Sequence, residues 1–171
     1  ESYFRLSGKI AAVNVTAGPG SINTLNGVFG AYVDSLGMIV ISGQAKRETM
    51  ARNYDIPLRQ LGDQEVDIIS VVRTVTKYAT VLQKPEEVKQ VMEKAIFLAT
   101  HGRPGPVWID VPIDVQAATV DPEDLSPFDP EDIKVQGVPI GNRICEPLGP
   151  GSGHLDIEGC DDEAEGSRSK D

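Results

Sequence analysis

VTAGPGSIN, residues 15–23, is the stretch on which the reading of this chain turns. An apolar run, KIAAVNV (9–15), precedes it, and an amphipathic stretch, SINTLNGVFGAYVDSL (21–36), follows. Two glycines around a proline, between a strand and a helix, admit two readings. One is a tight βα turn in which Ser21 and Asn23 cap the helix. The other is a loop whose backbone approaches a bound molecule. Glycine permits positive φ and close contact, proline fixes φ, and open α/β sheets bind ligands outside the carboxyl ends of their strands.

The pattern on either side favours such a sheet. Residues 9–16 are rich in Ala, Val and Ile with little alternation, which predicts a strand buried on both faces. Ile22, Leu25, Val28, Phe29 and Tyr32 recur at helical spacing. MIVIS (38–42) predicts a second strand closed by Gly43 and Gln44, and AKRETMARNYDIPLRQLG (45–62) is a polar loop too long for a simple connector. DQEVDIISVVR (63–73) is helical, with Val66, Ile69 and Val72 on one face. A strand follows over 75–82. KPEEVKQVMEKAIFLATHG (84–102) is the clearest helix, with Pro85 and two glutamates at its start and Gly102 past its end. GPVWIDVP (105–112) is a last buried strand. Strands near 9–16, 38–42, 75–82 and 106–111 are therefore expected as neighbours in one mostly parallel sheet with helices on both faces, a three-layer α/β fold.

The 171 residues carry a net charge of −10, and the charge is uneven. Residues 1–120 hold 12 acidic and 12 basic side chains, whereas 121–171 hold 14 acidic against 4 basic. That division separates a domain (1–120) from an acidic segment (121–171) expected to be a linker and a tail without packed structure beyond about Cys145. No basic cluster points to nucleic acid, and no apolar run approaches the roughly 18 residues of a membrane span. Cys145 and Cys160, with His154 nearby, fit no zinc pattern, and a reducing, cytoplasmic setting is expected. ESYFRLSGK (1–9) reads as the end of a helix entered midway, so further sequence is expected upstream.

VTAGPGSIN, then GAYVDSLGMIVISGQ (30–44), DQEVDI (63–68), RTVTKYATVL (73–82) and ATHGRPGPVWIDVPIDVQ (99–116) together resemble the N-terminal pyrimidine-binding domain of thiamine diphosphate enzymes. The group resembled is the acetolactate synthase (acetohydroxyacid synthase) large subunits and their relatives. The likeness spans about residues 1–120. A lone Gly-Pro-Gly is weak, but five ordered motifs are specific. The resemblance implies that thiamine diphosphate lies between two subunits of a homodimer or tetramer. It places Gly18, Pro19 and Asn23 beside the aminopyrimidine ring and brings Gln64 into the active site as the candidate catalytic residue. A 2-ketoacid would be decarboxylated and its remainder ligated to an acceptor, the diphosphate being held through Mg²⁺ by a separate domain. FAD occupies a central domain in the acetolactate synthases.

This chain departs from the pattern in three ways. Asp63 stands where an aromatic residue usually precedes the glutamine, which puts acetolactate formation itself in question; on its own, Asp63 reads equally as a helix N-cap. The glutamate that bonds the pyrimidine ring and drives its acid–base chemistry lies upstream of the Gly-Pro-Gly loop in relatives and is absent here. The Gly-Asp-Gly motif of the diphosphate domain is also absent, and LGDQE (61–65) does not supply it. No metal-ligating set is expected. Gln44 and Arg47 read as surface-loop residues, and Trp108 and Ile109 as core. Against the carboligase reading stand an inactive fragment and a 2-ketoacid decarboxylase or acyltransferase of the same superfamily. A Rossmann dinucleotide binder would need a third glycine that GPGSIN lacks.

Overall fold

The computed structural model describes residues 1–131 and 133. Four parallel strands form one sheet: β1 (Ala11–Val15), β2 (Met38–Gln44), β3 (Tyr78–Val81) and β4 (Pro106–Pro112). Their order is β1-β2-β4-β3, with Ala11 opposite Met38, Met38 opposite Pro106 and Tyr78 opposite Val107. All four expected strands are present and parallel. β2 runs two residues further than expected, because Gly43 and Gln44 pair with Val111 and Pro112 instead of closing the strand.

Helices cover both faces. On one side α3 (Leu25–Val33) and α4 (Ile68–Val72) press Val28, Ala31, Ile68, Ile69 and Val72 onto Val40 and Trp108. On the other, α5 (Val88–Thr100) packs Ala95, Leu98 and Ala99 onto Ile39, Val107 and Ile109. The period of 2 along β2 and β4 sorts their side chains between these two layers. Short helices α1 (Ser2–Ser7), α2 (Pro19–Asn23) and α6 (Ile113–Gln116) complete the set.

The C-terminal end of α5 is closed by Lys77, which enters from the strand side. Its ammonium donates to the Leu98 carbonyl at 2.5 Å and the His101 carbonyl at 2.7 Å. The stem passes Gly105, where a Cβ would stand 3.0 Å from two of its carbons. Burial depresses the Lys77 pKa below the usual lysine range.

Three expectations are corrected. β1 is an edge strand, so only Val13 and Val15 pack inward while Ala12 and Asn14 are exposed. The helix expected over 21–36 breaks at Thr24, whose hydroxyl donates to the Ser21 carbonyl at 2.7 Å. After that break Val28 faces the core, and Ile22, Phe29 and Val33 are the exposed apolar residues. The helix expected from Asp63 begins only at Ile68, because Asp67 caps it: its carboxylate accepts the Ser70 amide at 3.4 Å and the Ser70 hydroxyl at 2.6 Å.

The segment after Asp121, expected as a linker, lies against α5 over its described part. The Phe128 amide donates to Glu93 at 2.8 Å, its ring meets Phe97 with centroids 5.7 Å apart, and Ile133 is buried in the α5 layer. The stretch beyond Cys145, with both cysteines, lies outside the described residues.

Candidate functional site

Parallel strands end together, so the carboxyl ends of β1, β2 and β4 form one rim. A cleft of about 680 Å³ opens there, between Asn14–Ala17 on one side and Val111, Ile113 and Gln116 on the other, with Ile41 to Ala45 beneath. Val15, Ile41 and Val111 give it an apolar floor, and Asn14, Thr16 and Gln116 offer neutral polar groups. Asp63 reaches it from the loop before α4 and is the single formally charged side chain in its lining.

The Gly-Pro-Gly turn lies immediately beyond this rim. Gly18 has φ 59° and ψ −116°, a conformation closed to residues with a side chain. A Cβ there would stand 2.3 Å from the carbonyl oxygen of Gln64. The close approach that two glycines foreshadowed is thus made, in this chain, by the Gln64 backbone. Gln64 itself takes φ 52°, one of two non-glycine residues with positive φ among the described residues. Neither Ser21 nor Asn23 caps α2: Ser21 is buried and donates to the Thr16 carbonyl at 2.9 Å, drawing the turn shut. Pro19 and Asn23 are exposed at the start and end of α2, outside the cleft lining. The structure therefore brings Gly18 and Gln64 together beside the cleft and leaves Pro19 and Asn23 on the adjoining surface.

The segment carrying Gln64 is tied down on three sides. The Glu65 carboxylate accepts the amides of Ala51, Leu61 and Gly62 at 2.6, 2.9 and 3.0 Å. Gly62 lies so close to Ala45 that a Cβ would meet it at 2.5 Å. The Gln44 side chain donates to the Val66 carbonyl at 2.9 Å and to Asp110 at 2.9 Å, and its oxygen accepts the Ala45 amide at 2.9 Å. Gln44 is buried, contrary to the surface-loop role expected of it, because β2 continues through it. Arg47 holds a more exposed position, paired with Asp114 at 2.6 Å and donating to the Gln83 carbonyl at 2.7 Å. Burial alone would raise the Asp114 pKa, but the hydrogen bonds from Arg47 outweigh it and hold it low.

Sequence reasoning missed the polar group beneath the cleft floor. Trp108 Nε1 donates to Ser42 Oγ at 2.8 Å, and Ser42 Oγ donates to Asp110 at 2.5 Å. Asp110 is 1% exposed, and burial pushes its carboxyl up to about 6 despite the hydrogen bonds from Ser42 and Gln44. The signal was present in IDVP: an acid inside an otherwise apolar strand.

Residues 1–71 match the family described as thiamine pyrophosphate enzyme, N-terminal TPP binding domain. The chain is 34% identical over 137 residues to the acetolactate synthase large subunit of Haemophilus influenzae, covering 80% of this chain and 22% of that protein. It is 40% identical over 119 residues to the acetolactate synthase large subunit of Buchnera aphidicola subsp. Schizaphis graminum, covering 70% of this chain and 19% of that protein. With the acetolactate synthase isozyme 3 large subunit of Escherichia coli K12 the figures are 39% over 111 residues, 65% and 18%. The matched part thus spans about a fifth of these relatives' length. Parallel sheet, rim cleft, ordered motifs and these likenesses agree: the chain belongs to the thiamine pyrophosphate enzyme family through its N-terminal TPP binding domain and is acetolactate synthase large subunit-like.

Proposed function

We propose that residues 1–120 belong to a pyrimidine-binding domain of an enzyme that decarboxylates a 2-ketoacid and ligates the product to an acceptor. The observation that carries the reading is the chemistry of the rim cleft. Its apolar floor and neutral polar walls suit a flat heteroaromatic ring with hydrogen-bonding edges, such as an aminopyrimidine. It does not suit the diphosphate end of thiamine diphosphate, because Asp63 is the lining's charged group and no lysine or arginine faces the cleft. The ring half of the cofactor fits here; the diphosphate half, with Mg²⁺, belongs to another domain, and FAD, if present, to a third.

When bound, thiamine diphosphate supplies the electron sink for decarboxylation. This chain's residues would bind and orient the ring: Gly18 and Pro19 by the shape of the turn, Asn23 from the end of α2, and Gln64 from the loop that Gly18 contacts. The exposed Ile22, Phe29 and Val33 support a homo-oligomeric parent, dimer or tetramer, meeting on this side. The 2-ketoacid substrate is what the sequence resemblance implies, and the cytoplasmic setting rests on the sparse cysteines of the chain.

The test uses a full-length protein that contains this domain. Asn23→Leu, or Pro19→Trp, is expected to weaken thiamine diphosphate binding in calorimetry while circular dichroism stays unchanged. Unaltered affinity in both variants would remove the turn from the cofactor site. The chain by itself is expected to show no saturable heat with micromolar thiamine diphosphate and Mg²⁺ and to consume no pyruvate.

A further inference from the structure

Asp110 lies outside the cleft lining, but Gln44 is part of it, and together they connect the sheet to the loop that carries Gln64. Ser42 and Asp110 are register partners on β2 and β4, and both face the α3 and α4 layer together with Trp108 and Gln44. Every polar group in this set is used. The two Nε2 protons of Gln44 go to the Val66 carbonyl and the Asp110 carboxylate, and its oxygen takes the Ala45 amide. Reversing the carboxamide would set its oxygen against both the carboxylate and the Val66 carbonyl, so one orientation alone satisfies the set. Asp110 receives Ser42 on one oxygen and Gln44 on the other. Val66 is two residues past Gln64, whose carbonyl lies against Gly18.

We infer that Asp110 is a positioning residue: by fixing the Gln44 carboxamide it holds the Val66 carbonyl, and thereby the Gln64 loop and the Gly18 turn, at the mouth of the cleft. The inference rests on the proposed function for its catalytic meaning, and the contact chain itself is testable without it. Two charged groups face this carboxyl from packed elements. Arg52, in the 3-10 turn Ala51–Asn53, favours the carboxylate, and Asp67, at the start of α4, opposes it. These two are themselves paired at 3.3 Å. Protonating Asp110 turns one of its two acceptor oxygens into a donor, so Ser42 and Gln44 can no longer both donate to it as they do now, and the loop should loosen as the carboxyl titrates, near its value of about 6.

The protein carries its own reporter, since Trp108 is its single tryptophan and donates to the Ser42 hydroxyl that donates to Asp110. The experiment is a fluorescence titration of the 171-residue chain between pH 4 and 8, with amide exchange measured at pH 7. Trp108 emission should follow one titration that Asp110→Asn abolishes. Gln44→Met, which keeps volume and loses both donors, should speed exchange of the Glu65 and Ile68 amides about tenfold, with α5 amides unchanged. Asp110→Asn, neutral like the protonated acid and with one acceptor oxygen where the carboxylate uses two, should speed the same amides at pH 7, again with α5 unchanged.

If emission does not titrate, or titrates equally in Asp110→Asn, Asp110 has no such role. If Gln44→Met exchanges faster throughout, including α5, the network is general core and the inference falls. If exchange is local but Asn23→Leu leaves cofactor affinity intact in the full-length protein, the positioning stands and the functional reading fails.

Discussion

Three glycines of this chain separate backbone strain from steric contact. Gly8 caps α1 at φ 66°, with nothing within 4 Å of where a Cβ would be. Gly27 lies inside α3 with the same open surroundings and no positive φ. Gly18 combines φ 59° with a Cβ position 2.3 Å from the Gln64 carbonyl oxygen. Alanine at Gly27 should stabilise by about 0.5–1 kcal/mol, the helix propensity difference. Alanine at Gly8 should cost about 1 kcal/mol, the left-handed penalty alone. At Gly18 a strain of about 1–3 kcal/mol adds to an overpacking cost of about 1–3 kcal/mol, so about 4 kcal/mol is expected. That is a large part of the roughly 5–15 kcal/mol that holds a domain together. Urea unfolding followed by Trp108 fluorescence and circular dichroism gives all three values on one scale. A Gly18→Ala cost within about 0.5 kcal/mol of Gly8→Ala would mean that the Gln64 carbonyl does not press on the turn.

Replacing Lys77 by Met leaves the Leu98 and His101 carbonyls without their donor and should cost about 2 kcal/mol in the same assay. The folded pKa of Asp110, about 6, lies above the unfolded value near 3.9, so its contribution to stability is complete below about pH 4 and is lost as pH rises through 6. The loss amounts to about 3 kcal/mol; Asp110→Asn should flatten that part of the stability–pH curve, and an unchanged curve would place the shift elsewhere. Phe29→Glu should reduce self-association of the chain in sedimentation velocity, since Phe29 is an exposed apolar residue of α3 and contributes little to the core. Equal association in the variant would move the contact off this helix.

The sheet was legible because each strand is a mostly apolar run between turn residues, and the likeness to a known domain followed from motif order. The features that went unread depend on contacts that no local pattern encodes. Thr24 breaks the first long helix through a bond to Ser21, only three residues away, yet a threonine in a helical stretch usually passes without effect. Gln44 looked like the end of a strand because its partners, Val66 and Asp110, lie 22 and 66 positions along the chain. Asp63 and Asp67 are equally good caps on paper, and Ser70 decides between them by bonding to Asp67. Of the site, the nearness of Gly18 to Gln64 follows from two motifs 46 positions apart (18 to 64), which the sequence listed in order without showing that they touch.

Among the described residues nothing pairs with the outer side of β1, and Ala12 and Asn14 are open on its flank. Such a rim has no charged or bulky guard along its five residues, Ala11 to Val15. A chain made of these residues alone should therefore be sensitive to crowding as well as to heat. Each molecule offers its neighbours a template for strand addition while fully folded, so losses should grow with concentration at temperatures far below unfolding. The same rim is also the place where a short apolar peptide, supplied from outside, would be held by main-chain bonds and would protect the chain without touching its cleft.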